Sequence, residues 1–405
     1  MKTKKGRRFF AQRSSWRTEV KDQNPLQLTV WMNYPSFYQG DMFRALIASG
    51  QVDLEVVYAK SLTPDRLQLG WHDDLKGYPH RFINKRAPKL DAIRIAWAQR
   101  HRIHIINGIW AEPSFAAALL TLALAGSKYA LYSEAPDPTV ARSAGKRMLQ
   151  GRVGRALAVK AMGVLPVSSL GFDFFRRLGV PEPAIFPFGY FRSRARWTDR
   201  SGYFKDETKV EMVFAGQIIE RKGLDILLDA LGPVFDEYPS LTLSVIGDGD
   251  MLPRLRRLVQ ERLLTERVTF EGVIPPERIP ARLAVADLVV LPSRWDGWGV
   301  VVNEALSVGI PAVVSDRCGA ADLIENGKNG YVFRSEDAGA LRAALRRFLN
   351  SKWEWSGFRT RSAEVGDRIS VEAVAPYLVD CLRHMMGAGD RRPTAPWLQM
   401  DVRAG

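Results

Sequence analysis

From residue 210 onward, short unbroken apolar runs alternate with stretches of helical period. VEMVFA (210–215), LTLSVI (241–246) and LVVL (288–291) have no polar alternation. Such runs are strands buried on both faces, and strands of that kind interleaved with helices make a parallel sheet covered on both sides. Strands are expected at 210–215, 241–246, 268–271, 288–291 and 312–315, and helices at 223–235, 252–264, 278–286, 301–308 and 338–349. The first half repeats the pattern less cleanly. Its candidate strands are 28–32, 54–58, 103–106, 129–132, 164–167 and 184–188. Its candidate helices are 41–49, 89–100, 114–125, 144–159 and 169–178. The fold class is therefore α/β, with two doubly wound parallel-sheet domains facing each other across a cleft.

At 405 residues the chain is too long for one ordinary core. The expected organisation is a basic arm at 1–24, a first domain at 25–190, a polar linker at 191–208 and a second domain at 209–370. A helix at 371–387 crosses back, and a flexible tail fills 388–405. The apolar stretch 113–126 (PSFAAALLTLALAG) is shorter than a bilayer span of about 20 residues and reads as a buried helix. The basic N-terminus has no apolar core of a secretory signal, and Cys318 and Cys381 form no disulfide framework, so a cytoplasmic setting is expected.

Charge is unevenly placed. Residues 1–200 hold 32 Lys/Arg against 15 Asp/Glu, whereas residues 201–405 hold 26 against 29. The basic half suggests an anionic partner, either a phosphate-bearing substrate or an anionic membrane surface. The arm and the arginines at 192, 194 and 196 are candidates for docking there. No module for nucleic acid accompanies the charge, so no nucleic-acid partner is expected.

Three loops that follow strands carry the chemistry. In AGQIIERKG (215–223), Arg221 and Lys222 stand together at a helix start, where the helix dipole disfavours cations unless an anion is near. A diphosphate suits a guanidinium fork beside a point charge. In VIGDGD (245–250), Asp248 and Asp250 spell a D-x-D metal pattern. No His or third carboxylate is near in sequence, and the glycines read as a strand-to-helix turn, so no metal is expected. In SRWDGWGVVVNEA (293–305), Asp296 lies in a glycine-rich loop and Glu304 in the helix that follows. A helix start with exposed amides holds anions, and a carboxylate just inside it can accept from ribose hydroxyls.

Taken in order, the patterns G-x-x-x-x-R-K-G (216–223), V-I-G-D-G (245–249), P-S-x-x-[DE]-G-x-G-x-x-x-x-E-A (292–305) and G-x-x-x-L-I-E-N-G-x-N-G (319–330) resemble the donor half of the retaining glycosyltransferases of family 4, of the GT-B fold. The resemblance is strong over 210–335 and weak over 28–190. It implies transfer of a sugar from a UDP- or GDP-sugar to a glycan or lipid-linked acceptor in polysaccharide or glycolipid synthesis, retaining and without metal or other cofactor. Arg221 and Lys222 would neutralise the diphosphate, Glu304 would bind the ribose, and Asp296 would meet the transferred sugar. Gly216 and the segment Gly297, Trp298, Gly299, Val300 and Val301 would touch the donor. Asp296 replaces the family's usual Glu, the segment 34–41 has one glycine where relatives have several, and 132–138 lacks the usual His. Glu134 is the candidate polar group there, and Phe37, Tyr38 and Trp71 are candidates for an acceptor cleft. The alternatives are a nucleotide-sugar epimerase or hydrolase of the same fold, or a non-catalytic two-domain sugar-binding protein.

Overall fold

The computed structural model describes residues 24–68, 70–107, 112–138, 140, 144–193, 203–389 and 391–398, without the side chains of Asp65 and residues 144–150. Residues 1–23 of the expected arm and residues 194–202 of the expected linker, Arg194 and Arg196 among them, lie outside the described residues. The first half builds one six-stranded sheet from β1 (Leu26–Met32), β2 (Val52–Tyr58), β3 (His80–Phe82), β4 (Ile103–Asn107), β5 (Tyr129–Ser133) and β6 (Gly163–Pro166). The second builds another from β7 (Val210–Ala215), β8 (Leu241–Ile246), β9 (Val268–Gly272), β10 (Leu288–Leu291), β11 (Ala312–Ser315) and β12 (Gly330–Phe333).

The strand orders are β3-β2-β1-β4-β5-β6 and β12-β11-β10-β7-β8-β9. Both are the doubly wound order, with the first strand of each half at the reversal point, and every strand pair is parallel. Crevices therefore open beyond the carboxyl ends of β1 and β4 and of β7 and β10.

One apolar cluster runs through both halves. It contains Val30 and Phe188 from the first, Leu291 and Trp298 from the second, and Val374 from the helix Val371–Met385. That helix packs on the helix Phe37–Ala48, and Tyr377 donates to the Pro187 carbonyl at 3.0 Å. The Trp298 ring is the central wedge. Its indole donates to Asn303 at 2.7 Å, Asn303 donates to the Tyr190 carbonyl at 2.9 Å, and the outer carbons of the ring close on Gly189.

Several expectations need correction. The run 184–188 is not a ladder strand. It runs beside β6 as two isolated bridges, Val164 with Ile185 and Val167 with Phe188, where Phe186 N–H donates to the Val164 carbonyl and Phe188 N–H to the Pro166 carbonyl, both at 2.9 Å. The first helix starts at Phe37 rather than 41, with Phe37 and Tyr38 buried on its first turn. Residues 391–398 are not a free tail: Trp397 packs on Phe191 (centroids 4.9 Å apart), and Arg392 donates to the Ile185 carbonyl at 2.5 Å. The helix Pro113–Leu124 is buried on one side only, with Leu120 and Leu124 exposed.

A Cβ at Gly189 would stand 2.5 Å from the Trp298 ring. Gly189→Ala is predicted to destabilise the chain by about 1–3 kcal/mol through overpacking, read as a lowered urea midpoint. An unchanged midpoint would contradict this packing.

Candidate functional site

The residues assigned to the donor and to the reacting sugar, together with Phe37, Tyr38 and Trp71, line one cavity of about 440 Å³ between the two sheets. Its floor in the second half is set by close backbone approach. Gly223 takes φ 67°, and a Cβ there would meet the Pro292 carbonyl at 2.1 Å. This turn ends the short 3-10 segment Glu220–Lys222 and starts the helix Leu224–Glu237, so Arg221 and Lys222 project at the helix start. The loops after β7 and β10 clamp each other. Arg294 N–H donates to the Arg221 carbonyl at 2.9 Å, Arg221 Nη1 donates to the Trp295 carbonyl at 2.7 Å, and Arg294 forks onto Asp225 with two 2.8 Å bonds.

Asp296 receives both cations. Lys222 Nζ donates to its Oδ2, and Arg221 Nη1 stands 3.9 Å from its Oδ1. Its backbone bridges to Arg317 and Gly319 at 2.9 Å each. The helix Val300–Ser307 then starts at Gly299, whose φ is 94° and whose missing Cβ leaves room for Cys318 Sγ. Val300 and Val301 thus open the helix in the cavity lining, which Gly216 shares. The Trp298 side chain is the exception among the predicted residues. Trp298 is 2% exposed, and its ring forms the interdomain wedge described above.

Glu134, at the end of β5, reaches across from the first sheet. Its carboxylate sits where a Cβ of Gly297 would be, 2.0 Å from Oε2, and its Oε1 accepts from Tyr190 OH at 2.7 Å. Burial raises its carboxyl above the usual range, with Asp296 adding to the rise and Tyr190, Arg221 and Lys222 opposing it.

Glu304 is buried, and burial pushes its carboxyl up to about 7 against the pull of Arg192. Arg192 Nη1 donates to Glu304 Oε1 at 3.1 Å, and Arg192 Nε donates to Asp41 Oδ2 at 3.2 Å. Arg192 was expected on a docking surface, yet it is buried inside this triad and stacks on Phe37 at 4.6 Å.

Sequence reasoning missed Tyr34, Arg66, Tyr190 and the Asp41–Arg192 pair. Tyr34 and Asp41 fall in the segment 34–41 noted above for its single glycine. Tyr34, Phe37, Tyr38 and Trp71 form one aromatic wall, and Arg66 lies over Tyr34 at 4.1 Å and Trp71 at 4.5 Å. Val273, Ile274, Pro276 and Ile279 supply apolar lining from the second half, with Val273 and Pro276 close to Gly70. Asp248 turns onto its own loop, bonding Gly249 N–H at 2.7 Å. Among the described residues no group of three or more His, Cys, Asp or Glu is placed to hold a metal. The motif at 319–330 is structural. Asn329 is fully buried and closes its loop by donating to the Leu323 carbonyl and accepting from Glu325 N–H.

Residues 195–364 match the family model described as glycosyl transferases group 1. These residues, which include all of the second sheet, are similar to a group 1 glycosyltransferase domain. Similar curated proteins include a GDP-mannose-dependent alpha-(1-6)-phosphatidylinositol monomannoside mannosyltransferase of Mycolicibacterium smegmatis, 29% identical over 202 residues (44% of this chain, 51% of that one). Another is the alpha-D-kanosaminyltransferase of Streptomyces kanamyceticus, 29% identical over 201 residues (47% and 52%). The chain thus spans about half the length of the curated relatives it matches. Over the whole fold it is similar to Anabaena HepE, solved in complex with UDP (TM-score 0.70, 16% identity, 89% of this chain and 100% of that one). It is likewise similar to the sucrose-phosphate synthase of Thermosynechococcus elongatus (TM-score 0.67, 16% identity, 90% and 100%). The two facing six-stranded sheets are the GT-B architecture.

The raised Glu304 carboxyl has two opposite consequences. Between the ordinary carboxylate range and about pH 7 the folded chain holds a proton that the unfolded chain releases. This group's contribution to stability is therefore present at acid pH and lost as pH rises through about 7. A ligand hydroxyl that donates to Glu304 needs the ionised form instead. Nucleotide affinity is predicted to fall as pH drops below about 7, and Glu304→Gln is predicted to abolish that dependence. Calorimetric titration on either side of that pH checks both.

Proposed function

We propose that the protein is a retaining glycosyltransferase that moves a sugar from a UDP- or GDP-sugar to a glycan or lipid-linked acceptor, in polysaccharide or glycolipid synthesis. The observation that carries this reading is the arrangement of Arg221, Lys222, Asp296 and Glu304 along one wall of the cleft, with Glu134 facing them. The spacing fits the parts of a nucleotide sugar. The apolar wall at Val273, Ile274, Pro276 and Ile279 takes the flat base. Glu304 takes the ribose hydroxyls through the carboxylate oxygen that Arg192 does not hold. Arg221 and Lys222 take the diphosphate. Asp296 and Glu134 take hydroxyls of the sugar.

In the transfer step the bond from the anomeric carbon to the diphosphate oxygen breaks, and its electron pair leaves with the diphosphate. Arg221 and Lys222 stabilise that charge in a site already organised around them. The acceptor oxygen bonds to the anomeric carbon from the face the diphosphate leaves, so configuration is retained, and its proton passes to the departing diphosphate. The step uses no protein nucleophile, metal or other cofactor.

The aromatic wall at Tyr34, Phe37, Tyr38 and Trp71 is the acceptor side. Arg66 makes no ion pair with any described carboxylate, which suits an acceptor bearing an anionic group. Among the described residues no helix is long and apolar enough to cross a membrane. The reading places the protein in the cytoplasm, working at the inner face of an anionic membrane.

Thermal unfolding with UDP, GDP, ADP and CDP, each with and without EDTA, tests the donor site. A ligand at about 100 times its Kd adds about 2.7 kcal/mol. One nucleotide is predicted to raise the transition equally in both conditions. No shift with any of the four would sink the reading. Lys222→Ala is predicted to lower kcat by about 10²–10³-fold, the scale for losing one preorganised charge partner. Full turnover in that variant would remove Lys222 from the reaction.

A further inference from the structure

The helix Pro113–Leu124 has no charged residue in twelve, which is the composition of a helix covered on all sides. Its inner face, with Phe115, Leu119 and Leu122, is in the core beneath the first sheet. Its outer face is nonetheless open: Leu120 is 54% exposed and Leu124 80%. The neighbouring helix Pro88–Ala98 packs alongside it and continues the face. Leu90, Ile93 and Trp97 recur at helical spacing there, with Leu90 71% and Trp97 56% exposed, while Ala92, Ile95 and Ala96 point into the core. Five large apolar side chains on two adjacent helices therefore face outward together. Single exposed apolar residues need no explanation, but a contiguous set marks a contact surface.

The rim of this face identifies what covers it. Residues 85–128 hold seven Lys/Arg and two Asp/Glu. Lys85, Arg86, Lys89, Arg94, Arg100 and Lys128 are exposed. Arg100 stacks on the Trp97 ring at 4.7 Å, so one cation sits directly above the most amphipathic side chain of the patch. The two carboxylates, Asp91 and Glu112, are mostly covered, with side-chain exposures of 18% and 19%. A second copy of the chain packed face to face would bring two cationic rims together with almost no exposed acid to meet them. An anionic bilayer supplies both an apolar interior for Leu90, Ile93, Trp97, Leu120 and Leu124 and a negative surface for the rim, each nearby cation contributing about 1 kcal/mol.

We infer that the outer face of helices Pro88–Ala98 and Pro113–Leu124 is a docking surface for an anionic lipid bilayer. This face lies on the side of the first sheet away from the helix Phe37–Ala48, which packs against the second half. The inference rests on the membrane part of the proposed function and not on the donor chemistry.

The test is co-sedimentation of the full chain with phosphatidylcholine vesicles, with and without phosphatidylglycerol, at low and high salt. Wild type is expected to bind the anionic vesicles, less at high salt, and not the neutral ones. The triple variant Trp97→Gln/Leu120→Gln/Leu124→Gln is expected to lower the vesicle partition coefficient by at least about tenfold. Lys89→Glu/Arg94→Glu is expected to lower it mainly at low salt. All these side chains are outside the cleft, so the nucleotide-induced thermal shift is expected to be unchanged, and that shift also reports that each variant is folded. Three results would overturn the inference: no binding by wild type, equal binding by the triple variant, or a wild-type dimer that the triple variant converts to monomer. A retained nucleotide shift beside lost docking would leave the donor reading standing. Vesicle binding without any nucleotide shift would do the reverse.

Discussion

The charge triad Asp41–Arg192–Glu304 ties three parts of the chain together at a point where water is nearly absent. Asp41 lies on the first helix of the first half, Arg192 on the segment after Tyr190 that bridges to Ser370, and Glu304 on the helix that floors the cleft. All three are at most 5% exposed. Removing one partner from such a buried group costs about 3–5 kcal/mol, because the remaining charge is stranded. The relative placement of the two sheets, and hence the shape of the cleft between them, depends on this contact. The backbone around Arg192 adds to it, since Val371 N–H donates to the Arg192 carbonyl and Ser193 N–H donates to Asp41, both at 3.1 Å.

The cleft itself is a balance of charges held before any ligand arrives. Lys222 and Asp296 face each other, Arg221 is fixed by the Trp295 carbonyl, and Glu134 is fixed by Tyr190. Close contacts at Gly223, Gly297 and Gly299 set these positions, because a side chain at any of them would overlap backbone or a neighbouring group. In the proposed transfer, reorganisation would therefore be small as charge develops on the leaving diphosphate, which is the condition under which fixed charges stabilise it most. The loop at 296–299 is held against 317–320 by four backbone and side-chain bonds, which fixes the Asp296 carboxylate beside Lys222.

Most of the second half was legible in the sequence because its strands are continuous apolar runs and its loops carry closely spaced motifs. Strands β7, β8, β10 and β11 fall where the hydrophobic pattern puts them. The edge strand β12 was missed because Gly330 and the loop at 325–329 read as a turn, and β3 because three residues carry no period. Within the site, Arg221, Lys222, Asp296 and Glu304 were visible as spacings. Arg192 and Asp41 were not, since their partnership joins positions 151 residues apart and no local pattern marks it. The helix Pro113–Leu124 shows the opposite error. Composition predicts burial, and the three-dimensional arrangement leaves one face open.

The most direct test of the account is the crystal structure of the chain with a bound nucleotide diphosphate. The account predicts the diphosphate on Arg221 and Lys222, the ribose hydroxyls on Glu304 with the Arg192 contact kept, and the base against Val273 and Ile274. A nucleotide bound elsewhere, or one that binds only after Glu304 has parted from Arg192, would contradict it.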